Sequence, residues 1–128
     1  MKKILVIDDE KDFVESVREF LAMRGYSVMV AYNGIDALEK MKASPDIVLL
    51  DIKMPGMDGF EFLRHINSDP DNVNTPVIML TSKAETDSIF ESKHLWAADY
   101  AIKPIKLEDL LALIRRYLDD SGKRPVEI

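Results

Sequence analysis

Short, uninterrupted apolar runs alternate along this chain with longer stretches in which apolar residues recur at helical spacing. Residues 4–7, 47–50 and 77–80 each contain four apolar residues in a row. Such runs are typical of strands that are buried on both faces, as in the middle of a parallel sheet. Residues 26–31 and 99–102 have weaker strand character. The pattern therefore predicts five strands.

Apolar residues at helical spacing predict helices between these strands. The first helix follows Asp8 and Asp9, either of which can cap it, and ends near Gly25, a residue suited to a left-handed stop. A second, short helix follows Asn33, and a third begins at Asp58, which can cap it. The apolar positions of the three helices are Phe13, Val17, Phe20 and Leu21, then Ala37, Leu38 and Met41, and then Phe60, Phe62, Leu63 and Ile66.

Two further helices are predicted in the last third of the chain. Residues 84–96 have a poorer apolar stripe, whereas a strongly amphipathic last helix is indicated by Leu107, Leu110, Leu111, Ile114 and Leu118. Strands and helices thus alternate five times, which favours a parallel sheet with helices on both faces. We expect a flavodoxin-like, doubly wound α/β fold with strand order 2-1-3-4-5.

Composition and charge narrow the function classes. A chain of 128 residues, 47% of them hydrophobic, is long enough for one buried core and short for two domains. We expect one domain over residues 1–120 and a polar tail or truncated linker over 121–128. A net charge of −6 without a basic run argues against direct nucleic-acid binding. With no cysteine and no membrane-spanning stretch, we expect a cytoplasmic protein.

Polar residues follow four of the five predicted strands directly. They are Asp8 and Asp9 after the first strand, Asp51 after the third, Thr81 after the fourth and Lys103 after the fifth. In the proposed order these four strands are neighbours, and the carboxyl ends of parallel strands lie at the same edge of the sheet. We therefore expect these side chains to meet in one pocket.

The chemistry of this residue set favours a metal ion and a phosphoryl group. Three carboxylates in one pocket repel one another unless they are neutralised, and Mg²⁺ prefers such oxygen ligands. Lys103 adds a positive charge and Thr81 a hydroxyl donor, and both suit the oxygens of a transferring phosphoryl group. The carboxylate of Asp51 is already ionised at neutral pH and can act as the nucleophile.

With these residues in place, the sequence resembles the CheY-like receiver domain of two-component response regulators. The resemblance extends from Lys3 to about Leu118 and combines motifs that are weak singly and specific together. The motifs are Asp8-Asp9, Asp51-Ile52-Lys53-Met54-Pro55-Gly56-Met57-Asp58-Gly59, Thr81, and Asp99-Tyr100 through Lys103-Pro104.

The resemblance implies a phosphorylation site and a magnesium site. Asp51 is expected to accept a phosphoryl group from the phosphohistidine of a histidine kinase. Asp8, Asp9 and Asp51 would bind Mg²⁺, together with the backbone carbonyl of Lys53. By the same resemblance, the domain catalyses only its own phosphorylation and dephosphorylation and is not an enzyme with a separate substrate.

The resemblance also implies a conformational switch. Thr81 and Lys103 would bind the phosphoryl oxygens, and the Lys103–Pro104 peptide bond is expected to be cis. Tyr100 resembles the aromatic residue that turns inward when Thr81 moves toward the phosphoryl group. The changed surface would comprise the predicted fourth helix, the fifth strand and the last helix.

Partners follow from the same resemblance. The expected phosphoryl donor is a histidine kinase or a phosphotransfer protein. The expected reader of the switch is an output domain or an effector protein, and the switch surface allows a homodimer. No direct contact with nucleic acid or membrane is expected.

Two other protein classes remain as alternatives. A Mg²⁺-dependent phosphatase that forms an aspartyl phosphate would share Asp51, Thr81 and Lys103, but such enzymes usually carry a second aspartate where this chain has Lys53. A flavodoxin-like cofactor binder would need a phosphate-binding loop after the first strand. This chain has three consecutive acids there, residues 8–10, which would repel phosphate.

Overall fold

The computed structural model describes residues 1–82 and 97–118. The strands are β1 (Lys3–Ile7), β2 (Ser27–Ala31), β3 (Ile47–Asp51), β4 (Val77–Thr81) and β5 (Asp99–Ile102). The helices are α1 (Lys11–Ala22), α2 (Gly34–Lys40) with a 3₁₀ turn at Met41–Ala43, α3 (Gly59–Ser68), and Leu107–Leu118, called the last helix below. The helix predicted over residues 84–96 and the tail predicted over 121–128 lie outside the described residues.

The five strands form one parallel sheet in the order β2-β1-β3-β4-β5. This confirms the fold class and the strand order predicted from the apolar runs. β3 lies at the centre, and all five of its residues are buried. The last residue of β3, Asp51, is paired with Leu80, and the last residue of β4, Thr81, is paired with Ile102.

Helices cover both faces of the sheet, and each face has its own hydrophobic core. Alternate strand residues such as Val6, Leu49 and Leu80 pack with α1 and the last helix. Their sequence neighbours, such as Leu5, Leu50 and Met79, pack with α2 and α3. Because both faces are covered, the strands read as continuous apolar runs rather than as an alternating pattern. Among the described residues, no helix is long and apolar enough to cross a membrane.

Two helix N-termini are capped by side chains, as the sequence predicts for one of them. The carboxylate of Asp58 accepts a hydrogen bond of 2.9 Å from the backbone N–H of Glu61 and so caps α3. Asn33, where the sequence predicts only a break, caps α2 by accepting one of 2.8 Å from the N–H of Asp36. Gly25 follows the C-terminus of α1 and has a φ of +93°, which is the left-handed stop that was expected.

The prediction that Asp8 or Asp9 caps α1 is wrong. The helix starts at Lys11, so the N-cap residue is Glu10, and the Glu10 side chain makes no capping hydrogen bond. Both aspartates lie too early in the chain to reach the first turn. Asp8 instead accepts a hydrogen bond of 3.0 Å from the backbone N–H of Glu10.

The loop between β3 and α3 places the start of α3 directly against the end of the central strand. The N–H of Gly59 donates to the carbonyl oxygen of Ile52 at 2.8 Å. A Cβ atom on Gly59 would lie 2.4 Å from the carbonyl oxygen of Asp51, a contact that real structures do not tolerate. Only glycine therefore allows α3 to start this close to Asp51.

We predict that Gly59→Ala destabilises the fold by about 2–3 kcal/mol, because backbone atoms must move to admit the methyl group. The matched control is Gly56→Ala in the same loop. Gly56 has a φ of +78° but open space around it, so only the left-handed conformation costs free energy, about 1 kcal/mol. Urea unfolding followed by circular dichroism measures both changes, and equal losses in the two variants would contradict this account.

Candidate functional site

Three predicted carboxylates converge at the carboxyl edge of the sheet. Asp8 follows β1 and is fully buried, Asp51 ends β3 and is 6% exposed, and Asp9 is exposed. Each offers one oxygen atom, and these three oxygens all lie within 4.8 Å of one another. Among the described residues, this is the group of acidic side chains that could hold a metal ion.

The buried carboxylate of Asp8 is fixed at both of its oxygens. Its Oδ1 accepts the hydrogen bond from the N–H of Glu10, and its Oδ2 accepts one of 2.7 Å from Nζ of Lys103. The N–H of Asp8 in turn donates to the carbonyl oxygen of Ala31 at 3.1 Å, which extends the ladder between β1 and β2. Asp8 is thus held rigidly, with a charged partner that offsets the cost of its burial.

Lys103 is the cation of the site, and three carboxylates surround it. Its Nζ atom lies 2.7 Å from Asp8, 3.2 Å from Glu10 and 3.6 Å from Asp51. Partial burial lowers the pKa of Lys103. The hydrogen bond and the charge of Asp8 raise it, and so do the charge of Asp51 and the hydrogen bond to Glu10. The pKa of Lys103 is therefore raised, and the side chain is charged at neutral pH.

The Lys103 side chain also lies against an aromatic ring of α1. Its ammonium group is 4.8 Å from the ring centroid of Phe13, a cation–π distance. The backbone N–H of Lys103 donates to the carbonyl oxygen of Thr81, which continues the pairing between β4 and β5. The Lys103–Pro104 peptide bond is cis, the conformation that the resemblance implies.

Thr81 reaches the same edge from the other face of the sheet. Strand alternation puts Asp51 on the face of α1 and the last helix, with Leu49, whereas Thr81 follows Met79 on the face of α2 and α3. Thr81 is 1% exposed, and its hydroxyl donates to the carbonyl oxygen of Ser82 at 3.1 Å. Thr81 therefore lies at the edge of the pocket, and its hydroxyl makes no direct contact with the Lys103 side chain.

The remaining predicted site residues lie further out. Tyr100 is on β5, opposite Met79, and its side chain is 40% exposed. Lys53 is exposed, two residues beyond Asp51, and the role of its backbone carbonyl stays a prediction.

Two residues that contact Lys103 were not predicted from the sequence. Phe13 was assigned to the apolar stripe of α1, and Glu10 was considered only as a group that repels phosphate. Glu10 directly follows the acidic pair, and this position is the one signal that could have drawn attention to it, whereas nothing in the pattern distinguishes Phe13 from the other apolar residues of α1.

The donor set suits a hard divalent cation. Carboxylate oxygens are the ligands that Mg²⁺ prefers, and one exposed carboxylate beside two buried ones leaves the cluster open to water on one side. Lys103 alone does not balance the charge of the three carboxylates around it and of Asp9 in the same cluster, so the described pocket carries an excess of negative charge.

Curated proteins with similar sequences are bacterial regulators. The chain is 36% identical over 128 residues to the transcriptional regulatory protein CrdR of Helicobacter pylori, covering 99% of this chain and 58% of CrdR. It is 38% identical over 117 residues to the response regulator MprA of Mycobacterium avium, covering 91% of this chain and 50% of MprA. The chain therefore spans about half the length of the curated relatives it matches.

Solved structures with the same fold cover almost the whole chain. The chemotaxis protein CheY4 of Vibrio cholerae superposes with a TM-score of 0.84 at 34% identity, covering 91% of this chain and 98% of CheY4. The receiver domain of a signal transduction histidine kinase from Syntrophus aciditrophicus gives a TM-score of 0.86 at 29% identity, covering 100% of this chain and 97% of that domain.

The model of the response regulator receiver domain family matches residues 4–115, a range that includes all five strands except the first residue of β1, and every predicted site residue from Asp8 to Pro104. Sequence, topology and the placement of the acidic pair and the lysine agree with this match. The chain belongs to the receiver domain family of two-component response regulators.

Proposed function

We propose that this domain is a phosphorylation-driven switch that accepts a phosphoryl group on Asp51. The observation that carries the proposal is the position of this carboxylate at the end of the central strand. It is nearly buried, its oxygen lies 3.6 Å from the ammonium of Lys103, and two further carboxylates lie within 4.8 Å. An ionised nucleophile beside a fixed cation suits the transfer of an anionic phosphoryl group.

The carboxylates of Asp8, Asp9 and Asp51, with the backbone carbonyl of Lys53, would hold Mg²⁺. When bound, the ion neutralises the charge that otherwise opposes the approach of an anionic phosphate to Asp51. Asp8 is already held in place by the N–H of Glu10, so it needs little reordering to act as a ligand.

The donor is a histidine kinase or a phosphotransfer protein. An oxygen of Asp51 forms a bond to phosphorus as the phosphorus–nitrogen bond of the phosphohistidine breaks, and the electron pair returns to the imidazole. Lys103 binds a phosphoryl oxygen and offsets the negative charge that the transferring group carries. Because the chain is 36% identical to the transcriptional regulatory protein CrdR and 38% identical to the response regulator MprA, we propose for it the class of donor that serves response regulators.

The side chains of Thr81 and Tyr100 form the proposed switch. The Thr81 hydroxyl donates to the carbonyl oxygen of Ser82, and Tyr100 is 40% exposed. Movement of Thr81 toward a phosphoryl oxygen would free space on the β4 side, and Tyr100 would turn inward to fill it. Binding energy for the phosphoryl group thereby shifts the population between two surfaces.

The output is a change of surface and not the turnover of a second substrate. We propose that the domain catalyses only its own phosphorylation and dephosphorylation, because Lys53 occupies the position where phosphatases of this chemistry carry an acid/base carboxylate. A linked output domain or a separate effector protein reads the surface, and a homodimer can form through it. The proposal places the domain in the cytoplasm, without direct contact with nucleic acid or membrane.

We predict that the protein gains the mass of one phosphoryl group when it is incubated with acetyl phosphate and Mg²⁺. The gain requires Mg²⁺, and Asp51→Asn abolishes it because an amide cannot replace the carboxylate nucleophile. Intact-mass spectrometry measures the product.

The matched control for this experiment is Asp58→Asn in the same loop. Asparagine keeps the cap of α3, so this variant should be phosphorylated like the wild type. Absence of a mass gain in a folded wild-type protein, with both acetyl phosphate and a histidine kinase as donors, contradicts the proposed function.

We also predict that Mg²⁺ stabilises the fold through the carboxylate cluster. Binding to the folded state alone raises the free energy of unfolding with ion concentration, by about 2.7 kcal/mol at 100 times the dissociation constant. Thermal unfolding in Mg²⁺ against equal ionic strength of NaCl measures the effect. It should be largely lost in Asp8→Asn and retained in Asp36→Asn, a half-buried acid of α2 that pairs with Lys40. Equal stabilisation of both variants would exclude this cluster as the binding site.

A further inference from the structure

Glu10 occupies the N-cap position of α1 without performing the usual task of that position. Its backbone is extended, with φ −82° and ψ 97°, and its side chain makes no capping hydrogen bond. N-cap positions strongly favour short polar side chains that bond to the first turn. The side chain of Glu10 extends instead across the pocket, where its Oε1 lies 3.2 Å from Nζ of Lys103.

This contact draws Lys103 to one side of the pocket. Asp8 at 2.7 Å and Glu10 at 3.2 Å are within hydrogen-bond distance of the ammonium group, whereas Asp51 at 3.6 Å is beyond it. The Phe13 ring, also on α1, lies 4.8 Å away. Residues 10 and 13, at the start of α1, thus contact the cation, which lies beside Asp51 at 3.6 Å but beyond hydrogen-bond distance of it.

Glu10 and Asp8 differ in their expected role in the reaction, because only Asp8 is a predicted Mg²⁺ ligand. Asp8 is in the predicted ligand set for Mg²⁺, so the ion competes with Lys103 for its oxygens. Glu10 is outside that set, and its carboxylate, 65% exposed, remains available to Lys103. To bind a phosphoryl oxygen on Asp51, the ammonium group must loosen its contact with Glu10.

We propose that Glu10 is a positioning residue that restrains Lys103 and thereby slows the uptake of a phosphoryl group by Asp51. This inference rests on the proposed function and adds a residue to it. Glu10 acts through Lys103 and touches neither the nucleophile nor the phosphoryl group. Its effect is modest, because an ion pair with one largely exposed partner is weak.

Two substitutions separate this restraint from a simple effect of charge. Glu10→Gln keeps the length of the side chain and removes its charge. Glu10→Asp keeps the charge but shortens the side chain by one carbon–carbon bond, about 1.5 Å, which takes the carboxylate out of hydrogen-bond reach of Lys103. Aspartate is also a favoured N-cap residue, so Glu10→Asp should raise the thermal midpoint of unfolding rather than lower it. The matched control is Glu15→Gln on the same helix, where the carboxylate contacts Arg18 at 3.0 Å.

The first measurement is made on the metal-free protein and does not depend on phosphorylation. A ¹H–¹⁵N spectrum of lysine ammonium groups reports the surroundings of Lys103, and Lys103→Met assigns its signal by removing it. We expect the signal to shift in Glu10→Gln and Glu10→Asp and to stay in place in Glu15→Gln. An unchanged signal in both Glu10 variants overturns the proposal.

The second measurement is the initial rate of phosphorylation at subsaturating acetyl phosphate with Mg²⁺. We expect both Glu10 variants to react about two- to fivefold faster than the wild type, the range set by the loss of one weak ion pair, and Glu15→Gln to react at the wild-type rate. Acceleration in Glu10→Gln alone would mean that charge repels the anionic donor, and it overturns the positioning role. Wild-type rates in both variants overturn it as well, with the proposed function intact. A wild-type protein that takes up no phosphoryl group removes the proposed function and this inference with it.

Discussion

The structure of the pocket depends on one buried carboxylate and the way in which its charge is compensated. Asp8 is fully buried, and an isolated ionised carboxylate in that position would be strongly unfavourable. Its partner, Lys103, lies 95 residues away in sequence and follows β5, which is separated from β1 in the sheet by β3 and β4. This pair therefore fixes the relative positions of four strand ends, and Asp51 lies beside it at the end of β3, 3.6 Å from Lys103.

Lys103 compensates the negative charge of the pocket only in part, and this charge imbalance underlies the chemistry that we propose for the site. One ammonium group is shared among Asp8, Glu10 and Asp51, and Asp9 adds a fourth carboxylate close by. Repulsion among these groups favours a ligand that brings positive charge, and a divalent cation does so. Transfer of a phosphoryl group to Asp51, as proposed above, adds negative charge, so it depends on that cation and on Lys103 to bind the phosphoryl oxygens. The pocket thus gives up some stability in order to bind its ligands.

Most of the fold can be predicted from the sequence, because the apolar runs of the strands, the helical spacing and the strand ends all indicate the same arrangement. Both faces of the sheet are covered, so three of the strands are apolar enough to be found as runs, and the positions of Asp8, Asp51 and Lys103 follow from the strand ends. The N-terminus of α1 could not be predicted in this way, because the acidic residues there pair with a lysine that is distant in sequence and do not cap the helix. Contacts such as that between Glu10 and Lys103, 93 residues apart, depend on side-chain reach, which no local pattern records. The hydroxyl of Thr81 donates to the adjacent carbonyl of Ser82, and the pattern of apolar and polar residues does not record this local choice of partner either.

β5 is the strand through which a change at the pocket can reach the surface most easily. Its C-terminal end leads directly to Lys103, and its N-terminal end is tied to the last helix, where Tyr117 donates a hydrogen bond of 2.9 Å to Asp99 and Arg116 pairs with the same carboxylate at 3.2 Å. In the described sheet β5 pairs only with β4, and of its four residues only Ala101 is buried. A strand held by one neighbour and a small buried surface has less resistance to displacement than β3, which is buried throughout. We therefore expect a movement of Lys103 toward Asp51 to be transmitted along the four residues of β5 to the last helix, while the central strand that carries Asp51 stays in place.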